Sequence, residues 1–335
     1  MNRGDSAECL RPRLECPRGP LPRQYATAFP RPRRKQPDSE LDQVAGLLLE
    51  ADPEGVRFAR ALRRTIDMLL DGQHTGRYRW DQLHKTEKTH AGTLVEINLQ
   101  REFGFPGGDR LDHRIGTADV DCKFSQTLGG WMIPPEAVGC LCLLVWASDQ
   151  ESSWSAGLVR ADQHLLNGGG NRDSKRTLNR TGRAAIRWLF RDAPLPENAL
   201  LHMPEEDVEA VFSLSSGTAR VSELFRRAQH RRVGRAVVAT VAQQEDYMKR
   251  VRGNGGARSR LRTEGIIILG QYTRHVEIAA QLGLPLPGPG ESVSARVARL
   301  RPHHGSAPSA VIGGERWTLA TDADPVEPAP TLPRV

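Results

Sequence analysis

The stretch LDHRIGTADVDCKF, residues 111–124, alternates apolar and polar side chains on both sides of Gly116-Thr117. Leu111, His113 and Ile115 oppose Asp112 and Arg114; beyond the turn, Val120, Cys122 and Phe124 oppose Asp119, Asp121 and Lys123. Period-two alternation around a two-residue loop that begins with glycine predicts a β-hairpin closed by a type II′ turn. That register pairs Ile115 with Ala118, Arg114 with Asp119 and Asp112 with Asp121. Directly opposed residues share a face with Cβ atoms about 4.5–5.5 Å apart, so two carboxylates repel unless a proton or a cation separates them. Asp112 and Asp121 are therefore candidate ligands of a hard divalent ion such as Mg²⁺, with the Cys122 carbonyl as a further oxygen. Lys123 shares their face and would meet the same phosphate. A solvated hairpin of mixed charge fits the same pattern, and a slip of one residue would send one carboxylate to the opposite face.

Outward from the hairpin, the chain reads as an α/β (α+β) protein. Upstream, Leu41, Val44, Leu47 and Leu48, then Phe58, Leu62, Ile66 and Leu69, recur at helical spacing and predict two helices, the second stopping at Asp71-Gly72. Residues 75–105 turn from aromatic and cationic to amphipathic, which places Glu96 on a helix leading into the hairpin. Downstream, VGCLCLLVWA (138–147) is a continuous apolar run of the kind a central buried strand shows. WSAGLVRA (154–161) predicts another strand and the region near 179–190 a helix. The proline and charge of RDAPLPEN (191–198) mark a boundary. The expected domains are thus 38–190 and 198–335, joined by a linker at 191–197.

The second domain reads differently. A helix is expected over about 220–233, and two short helical stretches around Gly253-Asn254-Gly255-Gly256 resemble a helix-turn-helix, with the strand IIILG (266–270) beginning a wing. Lys249, Arg250, Arg252, Arg258, Arg260 and Arg262 are its candidate DNA contacts, Arg258 and Arg260 foremost. The last residues, with Pro325, Pro328, Pro330 and Pro333, read as a tail.

Composition sets the bounds. The chain has 335 residues, room for two domains, and 47 Lys and Arg against 40 Asp and Glu, a formal charge of +7 that favours a polyanionic partner, nucleic acid first. Five cysteines without paired spacing argue against a disulfide framework. No apolar run is long enough to span a membrane and no signal peptide is visible, so a soluble cytoplasmic protein is expected. Residues 1–37, proline-rich and basic, are expected to be disordered.

Other motifs carry less. Cys140 and Cys142 lack a second Cys or His pair at zinc spacing and read as buried thiols. GFPGGD (104–109) and NGGGN (167–171) lack the Lys-Ser/Thr ending that grips nucleotide phosphates and read as flexible turns, so no nucleotide cofactor is expected. KTEK (85–88) has no following Asp-Gly and reads as a charged helix start. No HExxH pair occurs, and His113 falls on the apolar side of the hairpin.

Beyond these motifs, DGQHTGRYRWDQLHKTEKTHAGTLVEINL (71–99), VDCKFSQ (120–126), WMIPPE (131–136), WASDQ (146–150) and MKRVRGNGGARS (248–259) closely resemble the type II restriction endonucleases of the NaeI family, over about residues 38–335. The resemblance implies an N-terminal PD-(D/E)XK endonuclease domain with a mixed sheet flanked by helices. It also implies a C-terminal domain with a catabolite-activator-like winged helix-turn-helix. It further implies a homodimer that cleaves double-stranded DNA at GCCGGC with Mg²⁺ and is stimulated by a second copy of the site bound as effector. By position, Glu96, Asp112, Asp121 and Lys123 match the family's catalytic residues. Leu111 stands where the general motif has proline, a position that supplies no ligand, and the sequence between Phe103 and Arg110 departs from the family. Readings from other classes are a helix-turn-helix regulator without chemistry and a repair or nicking nuclease.

Overall fold

The computed structural model describes residues 38–252 and 255–333; the extension expected to be disordered at 1–37 lies outside the described residues. The chain opens with helices α1 (Ser39–Ala51), α2 (Val56–Leu70), the single turn α3 (Gly72–Thr75) and α4 (Lys85–Phe103). Asp52 starts α2: its carboxylate accepts from the Arg57 and Phe58 amides at 2.9 Å each, satisfying donors that have no partner within the helix. Asp71, in the left-handed region, ends it.

Five strands follow: β1 (His113–Ile115), β2 (Ala118–Ser125), β3 (Leu141–Ser148), β4 (Ser153–Arg160) and β5 (Arg187–Pro194). They form one sheet in the order β1-β2-β3-β4-β5. β2 and β3 are parallel and the other pairs antiparallel. Two of the three predicted pairs are observed, Ile115 against Ala118 and Arg114 against Asp119, while the ladder ends at His113 against Val120, so Asp112 lies just outside it and does not pair with Asp121 as a strand residue. Gly116 has φ +62° and Thr117 no positive φ, the signature of the type II′ turn. One face, with Val120, Leu141, Leu143, Val145 and Leu158, packs on α1, α2 and α4. Each such fully buried side chain contributes about 1.5–3 kcal/mol, and together they hold the register. The opposite face, with Cys142, Leu144, Trp146 and Val159, is covered by Trp131, Ile133, Leu165, Leu166 and Leu178 from the connections after β2 and β4.

The expected helix over 179–190 is only the short α5 (Arg180–Ala184); the chain then becomes β5. Register shifts against β4 turn Trp188 toward Trp131 and Phe190 toward Phe58 and Trp154. Those shifts break the alternation that would have marked a strand. The residues expected to begin a linker, 191–194, are the end of this strand.

The second half contains α6 (Glu205–Phe212), α7 (Gly217–Arg227), β6 (Arg232–Gly234), α8 (Arg235–Ala242), α9 (Ala257–Arg262), β7 (Ile266–Gly270), α10 (Thr273–Gln281), β8 (Glu291–Arg299), β9 (Ser309–Ile312) and β10 (Glu315–Leu319). The helix expected to reach residue 233 ends at Arg227, because Arg232–Gly234 pairs with β8 as a strand. β8 is the hub, pairing with β6, β7 and β10. Val221, Leu224, Phe225, Val238, Val241, Ala257 and Leu261 share a core with Ile266 and Ile268, so α7, α8 and α9 pack against the start of a sheet, a winged-helix-like arrangement. The closing prolines do not form a free tail. Ala329 donates its amide to the Arg262 carbonyl at 2.8 Å, Leu332 packs against the apolar core between β8 and α10, and the Asp324 side chain is buried.

Candidate active site

The hairpin turn, the parallel pairing and helix α4 converge on one spot. Asp121 and Lys123 project from β2 to the face that carries Cys142. Asp112, just before β1, turns its carboxylate to the same place: its Oδ2 accepts from the Cys122 amide at 2.7 Å. The Lys123 ammonium bridges the cluster, 2.8 Å from Asp121 Oδ1, 3.4 Å from Asp112 Oδ2 and 2.9 Å from the Cys122 carbonyl. The structure therefore gathers Asp112, Asp121, Lys123 and the Cys122 carbonyl in one hydrogen-bonded group.

Electrostatics match that crowding. Burial, with the neighbouring Asp112 charge adding to it, pushes the Asp121 carboxyl up to about 6 against the opposing pull of Lys123. Glu96, on the face of α4 toward the hairpin, is raised by burial and then by Asp112 and Asp121, so it shares their field. Burial alone would lower Lys123, but Asp121 and Asp112 overcome it and raise the ammonium, which stays charged at neutral pH. The Cys122 thiol, pointing into the core, is raised by burial and stays protonated.

The donors here are all oxygens, the set that a hard divalent cation takes. Glu96, Asp112 and Asp121 are not as tightly grouped as a closed metal cage. Among the described residues, the one group of three His, Cys, Asp or Glu donors within 4.8 Å of each other is His303, His304 and Asp324. In that group His304 Nδ1 accepts from the Arg301 amide at 2.9 Å while Nε2 faces Asp324 at 2.9 Å. The Nε2 proton is thereby committed to a carboxylate that also accepts from the Thr321 amide and hydroxyl. It is a clamp on the closing segment.

Three supporting groups escape the sequence reading. Asp119 accepts from the Asp109 and Arg110 amides at 3.1 and 3.0 Å, fixing the loop that delivers Asp112; period-two spacing puts it on the face of Asp121 and Lys123, but nothing in the pattern gives it that role. Arg77 holds Glu87 in the first turn of α4. Cys142 approaches Asp121 Oδ2 through its sulfur at 3.9 Å, while its neighbour Cys140 lies outside β3 and is half-buried. His113 is fully buried against Phe105, as expected of the apolar side of the hairpin.

The six cations named between residues 249 and 262 do not share one environment. The expected first helix of the pair is one 3-10 turn, Tyr247–Arg250, and the helix before it is α8. Arg250 is paired with Asp246 at 2.9 Å, and Lys249 lies 3.8 Å from the same carboxylate. Arg258 donates Nε to the Ile268 carbonyl at 3.0 Å and is half-buried, tying α9 to β7. Arg262 donates to Thr331 Oγ1 at 2.8 Å. Arg252 and Arg260 are exposed and have no carboxylate partner among the described residues.

Comparison with known proteins gives this arrangement a context. Residues 42–328 match the family described as restriction endonuclease NaeI. The chain is 50% identical over 321 residues to the type II restriction enzyme NaeI of Lentzea aerocolonigenes, a match covering 94% of this chain and 98% of that relative. With a family model matched over most of its length and half of its residues shared with that relative, the chain belongs to the NaeI restriction endonuclease family.

Proposed function

We propose that the protein is a type IIE-like, Mg²⁺-dependent endodeoxyribonuclease that hydrolyses double-stranded DNA at GCCGGC, with Asp112, Asp121, Glu96 and Lys123 as its catalytic group. The observation that carries the reading is the Lys123 ammonium bridging Asp121 at 2.8 Å and Asp112 at 3.4 Å on the face of an edge hairpin. Asp112, Asp121, Glu96 and the Cys122 carbonyl would hold the metal. When bound, it supplies Lewis-acid charge and an acidified water for attack on phosphorus. Lys123 keeps its protons, so its work is to orient the attacking water and to offset charge growing on the phosphate oxygens, rather than to act as the base. Burial raises the Asp121 carboxyl, so proton and cation compete for the same oxygens.

Residues 198–335 would form the second domain, binding a further copy of the site and licensing cleavage from there, with Lys249, Arg250, Arg252, Arg260 and Arg262 as candidate contacts. Arg258 is better placed to hold α9 on β7 than to reach DNA. A homodimer would place one such centre on each strand of a palindrome. The setting is the cytoplasm, where a restriction enzyme meets incoming DNA; no helix among the described residues is long and apolar enough to cross a membrane.

The test is plasmid cleavage. Wild-type protein should cut a supercoiled plasmid bearing several GCCGGC sites in Mg²⁺ and not in EDTA, whereas Asp121→Ala should still shift DNA in a gel and leave the plasmid intact. Uncut plasmid with wild-type protein in Mg²⁺ sinks the proposal. Product ends mapped away from GCCGGC on defined duplexes reassign the specificity.

A further inference from the structure

The run 167–171, expected to be a flexible turn, belongs to a built arm. Leu166 bridges Leu178 across it, the Asn167 amide donates to the Thr177 carbonyl at 2.9 Å and the Asn171 amide to the Lys175 carbonyl at 2.9 Å. Asn171 Oδ1 then accepts from the Asp173 and Lys175 amides at 3.0 and 2.9 Å, closing the tip. The base is anchored by Leu165, Leu166 and Leu178, buried in the core that contains Cys142 and Trp146. Those two strand residues pair with Asp121 and Ser125, so the arm stands on the sheet face that carries Asp121 and Lys123. Its return limb hydrogen-bonds in both directions with Ile133 through Arg176, at 2.8 and 2.9 Å, and a Cβ at Gly129 would meet Arg183 Cδ at 3.3 Å. Arm and post-β2 loop therefore form one surface beside the candidate active site.

Charge distinguishes this surface. Arg172, Lys175, Arg176, Arg180 and Arg183 crowd into twelve residues whose one acid is Asp173, and none of the five has a carboxylate within 4.0 Å among the described residues. Several arginines elsewhere are paired, as in Arg63 with Asp149, Arg160 with Asp38 and Arg226 with Glu264. Arg172, Arg180 and Arg183 are exposed. Unpaired cations held on an ordered arm are suited to a polyanion that passes over the face.

We propose that the arm 166–183 is a backbone clamp for the duplex being cut, with Arg172, Lys175 and Arg180 contacting phosphates next to the scissile one. The inference rests on the nuclease reading above for the identity of the duplex. It assigns DNA contact to the first half of the chain, separately from the cations of α9.

The test uses the full-length protein and the triple variant Arg172→Gln/Lys175→Gln/Arg180→Gln, with Arg172→Lys/Arg180→Lys as the charge-keeping control. For cleavage of a defined GCCGGC duplex in Mg²⁺, KM should rise on the order of tenfold in the triple variant while kcat stays within threefold, and the lysine control should match wild type. The dependence of log KM on log salt should weaken by about 0.9 for each phosphate that the variant no longer neutralises. Tm should not move. Unchanged KM and salt slope overturn the clamp. A weaker salt slope in DNA binding measured by anisotropy in Ca²⁺, with KM unchanged, places the cations on a different duplex and also overturns it. If wild type does not cut at all, the anisotropy slope still decides whether the arm binds DNA, and the failure belongs to the nuclease reading.

Discussion

Arg77 grips Glu87 through two parallel hydrogen bonds of 2.9 and 2.8 Å, fastening the first turn of α4 to the segment that follows α3. Glu87 also accepts from the His84 amide at 2.7 Å, so one carboxylate both caps α4 and anchors it. On the far side, Gly72 lies so close to Thr240 of α8 that a Cβ there would collide with the threonine hydroxyl. α4 bears Glu96, and its N-terminal end is thereby tied to the helices of the second half. Arg77→Ala should lower cleavage, because it frees the first turn of the helix that carries Glu96 nine residues further on. It should leave DNA binding near wild type. Parallel gel-shift and cleavage assays check this, and equal loss in both would put Arg77 in DNA contact instead.

Asp121→Asn should abolish cleavage without lowering Tm at pH 7.5 in the absence of divalent ions. Its carboxyl is raised to about 6 in the fold by burial, so the charged form is disfavoured there and the neutral amide relieves a cost on the order of 1–2 kcal/mol. Differential scanning calorimetry decides it, and a Tm several degrees below wild type would contradict the account.

The same shift sets a pH dependence. Because the folded value lies above the unfolded one, the stability that Asp121 contributes is fully present below about pH 4 and is lost as pH rises through about 6. Mg²⁺ should reverse the upper half of that trend by stabilising the ionised carboxylate. The Tm gain on adding Mg²⁺ should be larger at pH 8 than at pH 5, and cleavage should fall as pH drops below about 6. Equal Mg²⁺ stabilisation at both pH values would show that Asp121 is not a ligand.

Gly116→Ala should be disproportionately costly. The residue has φ +62°, and an added Cβ would also displace the Leu47 Cδ1 methyl, which can swing aside, so backbone strain dominates at about 1 kcal/mol or more. The turn that places Asp112 beside Asp121 would move as well, so urea denaturation and cleavage should both report the change. Unaltered cleavage would mean that the turn does not govern the site.

Arg258 and Arg260, two residues apart on α9, should separate cleanly. Arg258→Ala leaves the Ile268 carbonyl without its 3.0 Å donor and should destabilise by about 1–3 kcal/mol. Arg260→Ala should leave Tm unchanged and weaken the salt dependence of DNA binding by about 0.9. The opposite pairing of effects would reverse the roles given to these two arginines.

The hairpin is legible in the sequence because its information is local: a glycine turn and strict alternation determine which side chains meet, and the observed pairs Ile115–Ala118 and Arg114–Asp119 follow. The central strand is legible for a similar reason, since an uninterrupted apolar run has few other places to go. β5 is not, because its register shifts put Trp188 and Phe190 on opposite faces and erase the period. The roles of Asp119 and Arg258 are also hidden, because each depends on a backbone group brought near by folding, Asp119 on the loop before β1 and Arg258 on strand β7. The arm at 166–183 reads as loose because it opens with the run NGGGN, yet the Asn171 side chain closes its tip.

The docking of residues 321–333 has a practical corollary. Arg262, in the last turn of α9, offers its carbonyl to Ala329 and its guanidinium to Thr331, so a premature stop codon or carboxypeptidase trimming upstream of Ala329 would strip one wall from that helix. Shortened products should betray themselves first by aggregation, as the apolar surface under Ala329 and Leu332 comes into contact with solvent.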